Sequence, residues 1–401
     1  MSNTWQRQKR VVESLRRLVY AQPDPTDSAD LLQQLQAEEE KLHQIEAAAP
    51  KPAPEGGVLL EAQVGGEKHA GDLLGAATTG IDARVLLRQS HVPTSIVHFL
   101  DARDKPLVTF QVRYLGDEHA RLRLTSFVEG YSAQAISTIE LLDDGEVEIN
   151  HLPTFFPDRL QAVTELTRAT LHIRIDDLDG ATEQHSTFPI WLLARTSAYL
   201  GVQDPVTGAW IDLAPYLGAW VTPNAPDVLR LLRRALDLHP DHRIAGYQAG
   251  PAGVEPQVRA IYGAIKAEGI AYVNSLLAFG GAGEQMQRVR LPRETIQTRS
   301  ANCIDATVLM ASVLEAASLN PALVILPGHA LLGWEADDGV GEWHYVETTM
   351  LGTHDFDAAH RAGQIMGQQQ DKLAVKLGDP RYFQRLSLPE LRGERGIVPM
   401  E

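Results

Sequence analysis

The sequence predicts an α+β protein: a helical N-terminal extension, a β-sandwich domain, and a C-terminal domain of mixed helices and strands. Three observations carry that expectation. Short runs with alternating side chains crowd residues 84–194, as in Leu107-Val-Thr-Phe-Gln-Val-Arg-Tyr114 and Leu171-His-Ile-Arg-Ile175. Apolar residues at helical spacing occupy the first 48 residues and return from residue 227. Near residue 303 an apolar helical run leads into three β-rich runs separated by turn residues. At 401 residues the chain exceeds one ordinary core, so two or three folded units are expected.

Composition narrows the function classes. A net charge of −16 favours solubility and argues against broad nucleic-acid binding, which needs basic surface. A single cysteine makes no internal disulfide, so nothing points to an oxidising compartment. No apolar run reaches the roughly 18 residues of a transmembrane segment. The first residues carry charge without an apolar stretch behind them, so no signal peptide is expected. The expectation is a soluble cytoplasmic protein.

Residues 1–57 read as two helices and a linker. In the first, Trp5, Val12, Leu15 and Val19 make an apolar stripe beside Arg7, Lys9, Arg10, Arg16 and Arg17. Such a helix either docks on a partner or packs on its own protein. Asp27 or Ser28 caps the second, which carries Leu31, Leu35, Leu42 and Ile45 along one face. Residues 47–57, rich in Ala, Pro and Gly, form the linker.

Residues 58–222 form the β-sandwich domain. Strands are expected at 84–87, 95–100, 107–114, 120–127, 136–142, 147–150, 167–175 and 189–194, with turns at Asp144-Gly145 and Asp179-Gly180. His151, His172 and His185 lack the local spacing of a zinc site. No reactive constellation is legible in this domain, which suits a binding or scaffolding unit. A protein partner could meet it, or the helices of residues 1–48.

Residues 223–401 form the third domain. Asp227–Leu238 is an amphipathic helix, and Pro256 opens a longer one through Val258, Ile261 and Ile265 toward Leu276, with Gly269 as a break. The glycines of 279–283 lack a following Gly-Lys-Ser/Thr, so they are no phosphate-binding loop. Cys303 opens a helix carrying Ile304, Val308, Leu309, Val313, Leu314 and Ala317, with Ser300 or Asn302 as its cap. A thiol in a first turn sits at the positive end of the helix dipole, which favours the thiolate. Strands are expected at 322–326, 329–334 and 342–347. Counted outward from the turn near residue 338, His329 falls opposite residues 347–349, within reach of Glu347. Thiol, imidazole and carboxylate in this order are the parts of cysteine nucleophilic catalysis.

The segment resembles the transglutaminase-like superfamily, whose members carry a papain-type Cys-His-Asp triad. The resemblance lies in Gln287-Arg-Val-Arg-Leu-Pro292, Arg299-Ser-Ala-Asn-Cys303-Ile-Asp305, Gly328-His329 and Val346-Glu347-Thr-Thr, about residues 255–350. It implies Cys303 as nucleophile, His329 as general base and acid, and Glu347 as the orienting carboxylate in place of the usual aspartate. Asp305 and Trp334 are then structural residues near the site. For the oxyanion, the Cys303 N–H is one donor, and Gln297, Gln287 and Asn274 are side-chain candidates. No metal and no cofactor are called for.

The implied activity is amide or peptide hydrolysis through a thioester acyl-enzyme on a protein substrate, since bacterial relatives in the superfamily are often proteases. Transamidation to a lysine amine, and an inactive interaction or scaffold protein, are the alternatives.

Overall fold

The computed structural model describes residues 3–20, 29–48, 60–63, 81–114, 119–142, 145–179, 183–203, 210–273 and 284–400. Outside them lie the linker from residue 49 to 57, the Asp27 or Ser28 cap, the turn residues Asp144 and Gly180, Asn274, and the loop 279–283. The chain is a mixed α+β protein in two compact units. One comprises Met1–Ala53, Asp212–Phe279 and Gln287–Glu401; the other comprises Pro54–Ile211 and Gly280–Met286.

Helices α1 (Asn3–Tyr20) and α2 (Ala29–Ala48) open the chain. Val12 and Val19 interlock with Leu32, Leu35 and Leu42, with Trp5, Leu15 and Leu31 at the margin. Arg16 Nε donates to Glu39 Oε1 at 2.8 Å inside this hairpin, where Glu39 is fully buried. The hairpin belongs to the unit that carries Cys303. Ile365 packs on its core, Gln36 Nε2 donates to Gln369 O at 3.4 Å, and the Tyr382 hydroxyl donates to Glu39 O at 3.3 Å.

The next stretch runs through β1 (Leu60–Gln63), β2 (Ile81–Leu87), β3 (His91–Val92), β4 (Val108–Tyr114), β5 (Ala120–Val128), β6 (Ala135–Leu141), β7 (Glu146–His151), helix α3 (Pro157–Gln161), β8 (Thr167–Asp177), β9 (Glu183–Leu192), β10 (Ser197–Gln203) and β11 (Trp210–Asp212). Two sheets, β1-β2-β4-β7 and β3-β9-β8-β5-β6, contribute to one hydrophobic core. Alternation decides which residues enter it. Along β8 Ala169, Leu171, Ile173 and Ile175 are buried, and the residues between them are not. The expected strand 95–100 is a correction. After Pro93 the chain coils, with Ile96 N donating to Pro93 O and Phe99 N to Ile96 O, so Val97–Phe99 is a 3-10 turn. Likewise the turn Ala214–Trp220, placed by sequence with the strands, belongs to the cysteine unit.

His151 is buried at the end of β7. Its Nδ1 meets Ser126 Oγ at 3.0 Å, its Nε2 meets Ser137 Oγ at 2.9 Å, and Phe110 lies edge-on to it. Burial pushes this imidazole from the ordinary 6.5 down to about 4. Between those values the unfolded chain binds the proton and the folded chain does not, so stability rises with pH across that window. The expected size is on the order of 3 kcal/mol between pH 4 and 7. Urea midpoints of wild type and His151→Gln at pH 4.5 and 7 test this; equal pH dependence in the two would sink it.

The cysteine unit contains α4 (Pro226–Leu238), α5 (Val254–Lys266), β12 (Ala271–Tyr272), α6 (Pro292–Thr298), β14 (Ser300–Ala301), α7 (Cys303–Ala316), β15 (Pro321–Leu326), β16 (His329–Glu335), β17 (Trp343–Val346), α8 (Phe356–Leu377), β18 (Gln384–Ser387) and α9 (Leu388–Gly393), with the intervening β13 (Glu284–Arg288) shared at the unit boundary. An antiparallel sheet in the order β17-β16-β15-β18 packs against α7. Every residue of α7 from Ile304 to Leu314 is buried, so this helix is surrounded rather than one-faced as its spacing suggested. Each large aliphatic side chain there contributes about 1.5–3 kcal/mol. Helix α5 stops at Lys266, short of the expected Leu276. Gly269 adopts a φ of +69°, and β12 follows.

Candidate active site

Cys303 is the first residue of α7. Asn302 caps it: Asn302 Oδ1 accepts from Asp305 N at 2.8 Å, and Asp305 Oδ2 accepts from Asn302 N at 3.2 Å. Of the two caps the sequence allowed, Asn302 is the one used. Asp305 also accepts from Arg290 N at 2.7 Å and from Arg290 Nη1 at 2.8 Å. Burial raises its pKa against these bonds and the Arg290 charge. Asp305 thus pins the segment before α6 to the helix that begins with the thiol.

His329 opens β16 directly after Pro327-Gly328. Leu326 pairs with His329, and Gly328 has a φ of +73°, so the hairpin closes on a Pro-Gly turn of type II character. The β16–β17 ladder pairs Leu332 with Val346 and Gly333 with Tyr345. Continued by one residue, it sets Glu347 opposite Leu331, with His329 as the diagonal neighbour on the same face. The side chains meet there: His329 Nε2 lies 2.7 Å from Glu347 Oε2, and both residues are buried. The other carboxylate oxygen, Oε1, accepts from Thr349 N at 3.0 Å and from Thr349 Oγ1 at 2.7 Å.

The Cys303 side chain lies close enough to His329 to act on its titration. With Nε2 committed to the carboxylate, Nδ1 is the ring nitrogen left for the thiol. Burial alone would pull the histidine down. The Glu347 carboxylate and its hydrogen bond, with the nearby Cys303, override it and hold the imidazolium above the ordinary histidine range. Glu347 moves the other way: burial opposes its charge, and His329 with Thr349 holds it below the ordinary carboxylate range. The three sequence-expected residues therefore lie together, the imidazole bonded to the carboxylate and beside the thiol.

The remaining candidates divide. Asp305 lies two residues into the cysteine helix. Trp334 is buried, stacked on His344 with ring centroids 5.5 Å apart and near Phe356 and His360. Gln287 donates to Arg288 O at 3.2 Å, and Gln297 is exposed at the end of α6. Neither bonds to Cys303. The Cys303 N–H, at the first helical position, has no intrahelical acceptor.

Two features escaped the sequence reading. Tyr272 sits on β12, paired in parallel with Ala301, two residues before the cysteine. Tyr272 is half-exposed there, and partial burial, then the charges of Cys303 and Glu347, push its hydroxyl up to about 12. Thr307 and Thr348 both donate to Cys303 O, at 2.8 and 3.2 Å. A Cys-x-x-x-Thr spacing and the Thr after Glu347 were visible, but their convergence depends on tertiary placement.

Among the described residues no group of three His, Cys, Asp or Glu is placed to hold a metal ion, and no helix is long and apolar enough to cross a membrane. Compared with known proteins, the chain matches no family model and no curated protein.

Proposed function

We propose that this chain is a cysteine-dependent amide hydrolase of the transglutaminase-like type, with a β-sandwich domain preceding the catalytic one. The observation that carries this reading is the 2.7 Å bond from the His329 imidazole to the Glu347 carboxylate, with Cys303 beside that imidazole at the start of α7. Cys303 gives its thiol proton to His329 Nδ1, making the thiolate–imidazolium pair that the raised imidazole favours, and the thiolate Sγ then attacks the carbonyl carbon of an amide. The electron pair moves to the carbonyl oxygen, toward the Cys303 N–H. On collapse the C–N bond breaks, and the imidazolium gives its proton to the leaving amine. Water, deprotonated by His329, then attacks the thioester and frees the thiol. An amine in place of that water would give transamidation. Glu347 holds the Nε2 proton throughout, so Nδ1 faces the thiol as a base. A lone thiol with no disulfide partner suits a reducing compartment such as the cytoplasm.

Expression of wild type and Cys303→Ala in the same cells, followed by mass spectrometry of protein termini, tests the reading. New termini are expected with wild type and not with the variant. A hydroxylamine-labile acyl adduct on the Cys303 peptide is expected in rapid-quench samples. Identical termini from both proteins, with no adduct, would remove the hydrolase reading.

A further inference from the structure

We infer that Thr348, acting with Thr307, is a positioning residue that ties the turn bearing Glu347 to the backbone of the nucleophile. The inference rests on the hydrolase reading above and goes one step further. It says what fixes the spacing between the start of α7 and the His329–Glu347 pair.

Three distances define the device. Thr307 Oγ1 donates to Cys303 O at 2.8 Å, Thr348 Oγ1 donates to the same carbonyl at 3.2 Å, and the two hydroxyls are 3.0 Å apart. Thr307 and Thr348 are almost completely buried, so water does not replace either hydroxyl. Each hydroxyl has one proton. With the Thr307 proton on Cys303 O, the Thr348 proton goes either to that carbonyl or to Thr307 Oγ1. Both choices bond the residue after Glu347 to the first turn of α7.

The consequence is geometric. Asn302, Asp305 and Arg290 anchor the cysteine from the side of the preceding segment. Thr349 and the Ala359 carbonyl anchor Glu347 from its own turn and from α8. Thr348 joins these two anchored bodies across 45 residues of sequence. His329 is bonded to Glu347 and faces Cys303, so it can serve both only if the bodies keep their distance. A shift of about 1 Å in such a constellation costs about a hundredfold in rate.

The test uses iodoacetamide, a small alkylating agent that reads the reactivity of Cys303 without a known substrate. Second-order rates are measured from pH 5 to 9 for wild type, Thr348→Val, Thr348→Ser, Thr307→Val and His329→Ala, each with its thermal midpoint. Thr348→Val, which keeps shape and loses the hydroxyl, is expected to slow alkylation at neutral pH by roughly 10–100-fold. Thr348→Ser restores the hydroxyl and is expected to stay within about threefold of wild type. Equal rates for the Val and Ser variants, or a Val rate within about twofold of wild type, overturn the inference while His329→Ala stays slow. If His329→Ala also reacts like wild type, the hydrolase reading itself falls. Should Thr348→Val lose its cooperative unfolding transition, Thr307→Val decides: a slowed thiol supports the clamp, and a wild-type rate overturns it.

Discussion

Glu347→Gln is expected to lower turnover by about 10³–10⁴-fold while leaving the fold intact. The reason lies in which atoms face Glu347. Its Oε1 receives the Thr349 backbone N–H, a donor that cannot reverse. A glutamine must therefore put its carbonyl oxygen there and turn its NH₂ toward His329 Nε2. That NH₂ forces Nε2 to accept, so the ring proton moves to Nδ1, the nitrogen facing the thiol. The imidazole then presents a proton where a base is needed. Removing the carboxylate also removes the charge that holds the imidazolium up. Turnover on a substrate identified by the Cys303→Ala comparison measures the effect, with circular dichroism as the folding control. A loss smaller than about tenfold would mean that Glu347 does not orient His329.

Gly363→Ala is expected to destabilise the cysteine unit by roughly 3 kcal/mol. In most helices that change gains up to about 1 kcal/mol, because alanine is the better helix former. Here α8 lies directly on β17, and an added Cβ would sit 2.6 Å from Val346 Cα and 2.7 Å from Val346 N and C. These are backbone atoms of a central contact, so the helix or the strand must move. Val346 precedes Glu347, whose N–H donates to Ala359 O on the same helix at 3.0 Å. Displacement of α8 therefore moves the carboxylate as well, and activity is expected to fall with stability. Urea denaturation measures the first effect; a midpoint at or above wild type would show that the close approach is not needed.

The order Cys303, His329, Glu347 was legible because each residue sits at an element boundary marked in the sequence. Asn302 and Asp305 mark a helix start, Pro327-Gly328 marks a hairpin, and Asp337-Asp338-Gly339 marks the next turn. Residues joined only by tertiary placement were not legible. The β12–β14 pairing that brings Tyr272 to Cys303 is two residues long and parallel, so it leaves no periodic signal. The contact of α8 with β17 left little apolar pattern because it runs through glycines. Gly363 and Gly367, one helical turn apart, meet Val346 and Tyr345 where an apolar stripe would have been sought. The strand expected at 95–100 failed for the opposite reason: its β-branched residues favour a strand, and the turn set by Pro93 overrides them.

The contacts of the N-terminal hairpin with α8 also set a timetable. Gln370 Nε2 donates to Glu39 Oε2 at 3.4 Å, and that pair spans 331 residues. Ribosomes add about 5–20 residues per second, so α2 waits roughly 15–70 s for the helix it will cover. During that interval the surface around Glu39 faces solvent or a chaperone. The segment that carries Ala359 and Gly363, the supports of Glu347, emerges after the helix that begins with Cys303. A nascent chain therefore holds its thiol for some time before the carboxylate beside His329 is secured.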